Sequence, residues 1–253
     1  MDFLSLPTTR PTILATKYVV ASGHYLATLA GVRILEQGGT VFDAGVAAGL
    51  CLNVVQPDMT SMGGVAPIIL REARSGQVMT VSGLGWWPRA TSASRFGDGA
   101  GLTTGILTSV VPGALDAWVQ TLDRYGTMSF ADVAAPALEL AEGGFPVNRF
   151  LHDNLRQFAE RLARWPSSRD VLLTNGQPPE VGERLVQKEL ARTFRMLAEA
   201  ERGAAGRQKG LQAVRDLFYT GDIGRQMVRF CEQMDGFLGE DDLAAFRVKF
   251  EAP

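Results

Sequence analysis

Cysteine and histidine are scarce in this sequence, with two of each among 253 residues. Cys51 and Cys231 are far apart, as are His24 and His152, so no zinc-ligand spacing exists and no disulfide framework or metal cofactor is implied. Charge of one sign is also missing. A formal net charge of −2 leaves no electrostatic footprint for nucleic acid or an anionic membrane surface. No apolar run approaches the roughly 20 residues of a membrane helix. Residues 1–10 lack a basic start followed by an apolar stretch, which predicts no secretion signal and a cytoplasmic location. Internal repeats and domain linkers are absent too. What remains is ordinary for a globular protein: 46% hydrophobic and 21% charged residues, in a chain near the upper length of one domain.

The most informative stretch is residues 19–64. Val19 and Val20 favour a strand. Tyr25, Leu29, Val32 and Leu35 follow at spacings of three and four, the pattern of an apolar helix face. Gly38 and Gly39 end that helix. The next helix, from Asp43 to about Val55, is apolar on every side and predicts burial, with Cys51 as one small hydrophobe among its residues. Asp43 caps its start, where a carboxylate is favoured by the helix dipole. Pro57 stops it, and Gly63-Gly64 forms a tight turn. His24, at a strand-to-helix junction, hydrogen bonds at the turn. His152 reads as a solvated helix residue.

Beyond this block the organisation is mixed. Residues 67–73 and 77–82 read as strands of a hairpin joined at Ser75-Gly76. Residues 97–105 form a glycine-rich connection. From residue 113 onward helices dominate, over 114–125, 130–142, 149–164, 186–200, 213–217 and 222–234. Val186, Leu190, Phe194 and Leu197 share one apolar face. Cys231 falls on a helical face with Ile223, Met227, Phe230 and Met234. Asn175-Gly176 marks an exposed turn. Residues 203–210, rich in glycine and basic side chains, read as a mobile surface insertion, and Asp241-Asp242 as a helix start. Strands first and helices later point to an α+β or layered α/β arrangement. The chain reads as one incomplete domain, with a sheet-and-helix part over 1–112 and a mainly helical part over 113–253.

Several segments together resemble the start of the large subunit in the gamma-glutamyltransferase (gamma-glutamyltranspeptidase) family. Residues 19–64 follow its V-A-S-G-H-x-L-A-T, G-G-N-A-V-D-A-A-V-A-A and E-P-x-x-x-G-x-G-G patterns. Val111-Pro112-Gly113, Arg124-Tyr125-Gly126-Thr127 and residues 140–147 follow V-P-G, K-Y-G-T and L-A-E-x-G-F-P-V. Near the end, residues 218–221 and 241–246 follow F-Y-x-G and x-D-L-A-x-Y. The resemblance implies the N-terminal-nucleophile hydrolase fold, two packed sheets between helical layers, of which this chain supplies part. It also implies a self-cleaving precursor whose small subunit begins with a threonine. The freed α-amino group, with an ordinary pKa of about 7.7–8.0, activates that hydroxyl for acyl transfer.

Here the sequence departs from the pattern. The family's Thr-Thr-His signature is absent: Thr8-Thr9 precedes Arg10, and Thr103-Thr104 precedes Gly105. The resemblance therefore places the nucleophile in a C-terminal partner, with no catalytic residue in this chain and no activity when alone. The family's D-G-R-x-x-A-P motif carries an arginine that clamps the substrate's α-carboxylate, a task suited to the guanidinium fork. The matching residues are 82–88, and Leu84 stands at the arginine position. Trp86 and Trp87 bring flat apolar surface there, either to receive an aromatic or aliphatic acyl group or to pack against the remainder of the protein. Arg89 either substitutes for the clamp or faces solvent. Three readings stand: the amino-terminal portion of a self-processing amide hydrolase or acyltransferase with altered acyl specificity on a small-molecule amide, a true gamma-glutamyl transferase portion with a substitute clamp, and a non-catalytic split product acting as a binding partner.

Overall fold

A computed structural model describes residues 12–97 and 104–253. The expectations for residues 1–10, for Thr103 and for most of the 97–105 connection lie outside them. Helix α1 (Tyr25–Glu36) packs on helix α2 (Val41–Val55). Thr40 and Asp43 close a reciprocal capping box at the start of α2. As its all-round apolar sequence requires, α2 lies in the core, with Val46, Ala47, Leu50, Cys51 and Val54 at most 2% exposed. Helix α1 turns a different face inward from the one its large residues predict. Ala27, Ala30, Gly31 and Ile34 are buried, while Tyr25 and Leu29 are 49% and 57% exposed. Close approach decides this: a Cβ on Gly31 would lie 3.2 Å from the Ala44 carbonyl, so the small-residue face is the one that fits against α2. Val19 and Val20 form no strand, because no neighbouring strand offers them a ladder among the described residues.

Strands β1 (Ile68–Arg71) and β2 (Val78–Val81) make the predicted hairpin, with Gly76 at φ +71° in its turn. Helix α3 (Ala114–Tyr125) is followed by helix α4 (Phe130–Gly143) and strand β3 (Phe145–Pro146). The helix predicted over 149–164 breaks at Phe158 into α5 (Arg149–Gln157) and α6 (Ala159–Ala163), and α7 (Pro166–Leu172) was not foreseen. His152 is half-buried rather than solvated, since its Nδ1 lies 2.9 Å from the Pro179 carbonyl. Strand β4 (Arg184–Leu185) pairs with β3, and helix α8 (Lys188–Arg202) follows.

Residues 203–210 are not an insertion, because helix α9 (Arg207–Tyr219) begins inside them. Arg207 donates from Nε to the Met128 carbonyl (2.9 Å) and from Nη2 to the Leu122 carbonyl. Helix α10 (Asp222–Gln233), helix α11 (Glu240–Ala245) and strand β5 (Phe250–Glu251) complete the chain. In α10, Cys231 is buried with Gly224 and Val228, while Phe230 and the capping Met234 are 44% and 39% exposed.

The main sheet has the order β1-β2-β5, all antiparallel. Its registers put Ile68, Leu70, Met79, Val81 and Phe250 on one face, packed against Phe42, Ala117 and Tyr125 of α2 and α3. On the opposite face, Ile69 is 70% exposed. The hairpin thus sits on the helices with its other side open, and the segment following β2 leads directly into the candidate site.

Candidate functional site

Residues 82–88 lead from the end of β2 past Ala66, Val111 and Gly113 into a turn at Arg89-Ala90. Backbone hydrogen bonds fix much of their path. The Gly83 carbonyl accepts the Ala66 N–H at 2.9 Å, the Trp86 carbonyl accepts the Val111 N–H at 3.0 Å, and the Ser82 N–H donates to the Lys249 carbonyl at 2.8 Å. Glycine is required where these segments meet. A Cβ on Gly83 would fall 1.9 Å from the Ala66 oxygen, one on Gly85 1.8 Å from the Val111 oxygen, and one on Gly113 2.5 Å from the Gly83 oxygen. The Gly64 carbonyl accepts the N–H groups of Gly113 and Ala114, so the Gly63-Gly64 turn holds the first turn of α3. This accounts for Gly64 and the Val111-Pro112-Gly113 segment as structural parts of one crossing point.

From this backbone Leu84, Trp86 and Trp87 project outward, 55%, 39% and 49% exposed. Trp86 meets the Phe246 ring edge-on at 4.8 Å, and Trp87 meets Phe96 at 5.9 Å. Phe96 in turn contacts Phe237, over which Arg95 is held at 5.4 Å by its ion pair with Asp235. The Arg89 side chain is exposed, while its N–H donates to Asp242 Oδ1 at 3.0 Å. The four predicted residues therefore line one strip, three of them offering apolar surface and the fourth the strip's own cation. The strip binds no carboxylate through Leu84, which has no donor.

Beneath the strip lies a polar network that sequence reasoning missed. Asp116 and Arg215 are fully buried and paired, Nε to Oδ1 at 2.8 Å. Arg215 also donates to the Phe246 carbonyl, and Asp116 Oδ2 accepts the Val248 N–H at 2.8 Å. The Tyr219 hydroxyl donates to the Pro112 carbonyl at 2.8 Å and accepts the Asp116 N–H at 3.2 Å. Burial, then the Asp116 charge, pushes the Tyr219 phenol up, so it stays protonated and acts as a donor. A signal existed: Leu211, Val214, Arg215 and Phe218 share one helical face, so a charged residue occupies an apolar register position.

Other candidates resolve as structure. Burial, then the Glu139 charge, raises the Cys51 thiol to about 12, which leaves it unreactive at neutral pH. Asp43 accepts the N–H groups of Thr40, Thr127 and Met128. Burial raises its pKa, but these bonds outweigh that and hold it below the ordinary carboxylate value. A cleft of about 340 Å³ opens between α2, α3 and the edge strand β1, lined by Phe42, Val46, Leu70 and Trp118 with Arg71 its one charged group; it assembles no nucleophile or base. Among the described residues no three ligating side chains gather in a metal-binding cluster, and no helix is long and apolar enough to cross a membrane.

Comparison with known proteins bears on the family and the fold. The family model described as gamma-glutamyltranspeptidase matches residues 27–253. The glutathione hydrolase-like YwrD proenzyme of Bacillus subtilis is 35% identical over 95% of this chain and 44% of its own length. The Acylase ACY 1 proenzyme of a Pseudomonas strain is 32% identical over 93% of this chain and 42% of its own. The crystal structure of Helicobacter pylori gamma-glutamyltranspeptidase superposes with a TM-score of 0.86 at 26% identity, covering 96% of this chain and 68% of that one. The architecture is that of the N-terminal-nucleophile hydrolases. The chain belongs to the gamma-glutamyltranspeptidase family. It spans less than half the length of the curated relatives compared here.

Proposed function

We propose that these residues are the amino-terminal portion of a self-processing amide hydrolase or acyltransferase, and that its acyl donor is not a gamma-glutamyl amide. The nucleophile is a threonine beyond residue 253, at the amino end of a second polypeptide released by self-cleavage. Its hydroxyl adds to the amide carbonyl, its own α-amino group takes the hydroxyl proton, and the leaving amine departs protonated. Water or an amine then resolves the acyl-threonine ester. The proenzyme names of both curated relatives support the self-processing part.

The observation that carries the specificity reading is Leu84. It stands where the family pattern places the carboxylate-clamping arginine, and the strip around it presents Trp86 and Trp87 rather than a paired cation. Such a surface accepts an uncharged aromatic or aliphatic acyl group. The acylase name of one relative supports the same direction. A second reading keeps a gamma-glutamyl donor, and it rests on the exposed Arg89 side chain at the end of the strip.

The test uses the complete protein. Mass measurement should show a companion polypeptide starting with threonine, and the isolated 253-residue chain should show no turnover. Phenylacetyl-p-nitroanilide should be cleaved in preference to gamma-glutamyl-p-nitroanilide, and Leu84→Arg should raise kcat/KM for the latter by about tenfold, the value of one charge-assisted bond. Preference for the gamma-glutamyl donor by the unaltered protein, abolished in Arg89→Ala, would instead establish the second reading.

A further inference from the structure

The strip has a latch, built by two residues of the 241–246 segment. Asp242 lies on α11, 153 positions from Arg89 in sequence, and is 4% exposed. Each carboxylate oxygen takes one backbone donor: Oδ1 the Arg89 N–H and Oδ2 the Gly239 N–H, both at 3.0 Å. At the end of the same helix, Phe246 is 1% exposed and backs Trp86 at 4.8 Å, with its far side stacked on Tyr219 at 5.9 Å. The Phe246 carbonyl is in turn held by the buried Arg215. Both ends of the exposed segment from Trp86 to Arg89 are therefore fastened to one short helix, by a carboxylate at one end and by a ring at the other.

We infer that Asp242 is a positioning residue for the acyl-binding strip and that α11, through Asp242 and Phe246, sets acyl selectivity. The inference rests on reading residues 84–89 as the acyl site. The physical argument is one of preorganisation. The indole rings project from a backbone whose other hydrogen bonds, among the described residues, run to Ala66, Val81, Thr91, Val111 and Lys249, and a shift of about 1 Å at a positioning group alters substrate handling severalfold or more. Charge makes the latch strong, since a carboxylate accepting two N–H groups forms charge-assisted bonds at both. Asn at this position keeps the shape but presents an N–H₂ to one of the two donors, so it opens one side of the latch.

The experiment is steady-state kinetics on the complete, processed protein carrying Asp242→Asn, with phenylacetyl- and gamma-glutamyl-p-nitroanilide as donors. KM for the preferred donor should rise about tenfold with kcat held within about threefold, and the ratio of kcat/KM between the two donors should shrink, while self-cleavage remains complete. A folded, processed Asp242→Asn protein with unchanged KM and an unchanged donor ratio overturns the inference. Should that variant fail to fold, Phe246→Leu decides, because it keeps an apolar side chain and removes only the ring beneath Trp86; there too a shrunken donor ratio supports the role and an unchanged one ends it. If the unaltered protein prefers the gamma-glutamyl donor, the Leu84 reading falls, yet the effect of Asp242→Asn on the KM of that donor is read in the same way.

Discussion

The Asp116–Arg215 pair and the Leu84–Arg89 strip both meet at Phe246, one at its carbonyl and the other at its ring, and are built by opposite means. The pair is fully buried and held by side-chain charge, with Oδ1, Oδ2 and Nε of its two side chains engaged. The strip is exposed and held mainly through its backbone, by main-chain bonds, glycine contacts and the Asp242 carboxylate, with much of its side-chain surface left available. One region spends its polar groups on cohesion, whereas the other keeps its surface for something else. A site that binds an apolar group needs this division, because rings free to face a ligand cannot also fix their own backbone. The burden of fixing passes to glycines below and to α11 behind.

The largest effect expected tests the buried side of this contrast. Arg215→Met removes the partner of Asp116 and the donor to the Phe246 carbonyl, leaving a buried carboxylate with its main counter-charge gone. Breaking a buried pair from one side costs about 3–5 kcal/mol, which urea denaturation would report as a large fall in midpoint. Adding Asp116→Leu should recover part of the loss, since the unpaired charge is then gone too. If the single variant unfolds at the unaltered midpoint, the pair is not what joins α3, α9 and residues 246–248.

The backbone side is tested by glycine. Gly85→Ala places a methyl group 1.8 Å from the Val111 oxygen, so the two segments must part and the Trp86–Val111 hydrogen bond must lengthen. A loss of about 1–3 kcal/mol follows from such overpacking. Gly45→Ala is the internal control: nothing lies within 4 Å of its added methyl, it sits inside α2, and it should be neutral or gain about 0.5–1 kcal/mol. Equal effects at both positions would mean that the crossing under the strip is no tighter than an open helix face.

How much of this was readable in the sequence follows from the range of the interactions involved. Local signals held: the all-round apolar run of α2, the Ser75-Gly76 hairpin, the Asp43 cap and the helix over 114–125 all depend on residues a few positions apart. The buried face of α1 was misread because size suggested Tyr25 and Leu29, whereas the approach of α2 selected Ala27, Ala30 and Gly31. Residues 203–210 looked like a surface insertion because the carbonyls that receive Arg207 lie some 80 positions earlier. Leu84, Trp86, Trp87 and Arg89 were singled out by their motif. Residues 241–246 also follow a pattern, but that Asp242 and Phe246 meet this segment shows only through folding, and Asp242 read as a helix-start carboxylate.

The smallest effects separate the two ends of the first helical pair by pH. His24 caps α1 through Nδ1, which accepts the Leu26 N–H at 3.2 Å and must be unprotonated to do so. Burial lowers its pKa below the ordinary 6.5, so the folded protein binds fewer protons there than the unfolded chain. Its contribution is therefore complete above pH 6.5 and is lost as pH falls through that value toward the depressed one. Asp43 acts lower on the scale. Its folded pKa lies under 3.8, so its contribution is complete above that value and is lost as pH falls through the depressed folded one. His24→Asn, which keeps a capping oxygen without titrating, should flatten the dependence of the urea midpoint between neutral pH and pH 5 while changing stability at neutral pH by about 1 kcal/mol or less. Asp43→Asn should leave that window alone and flatten only the acid limb. A slope between neutral pH and pH 5 that survives in His24→Asn would assign the titration to a group other than this cap.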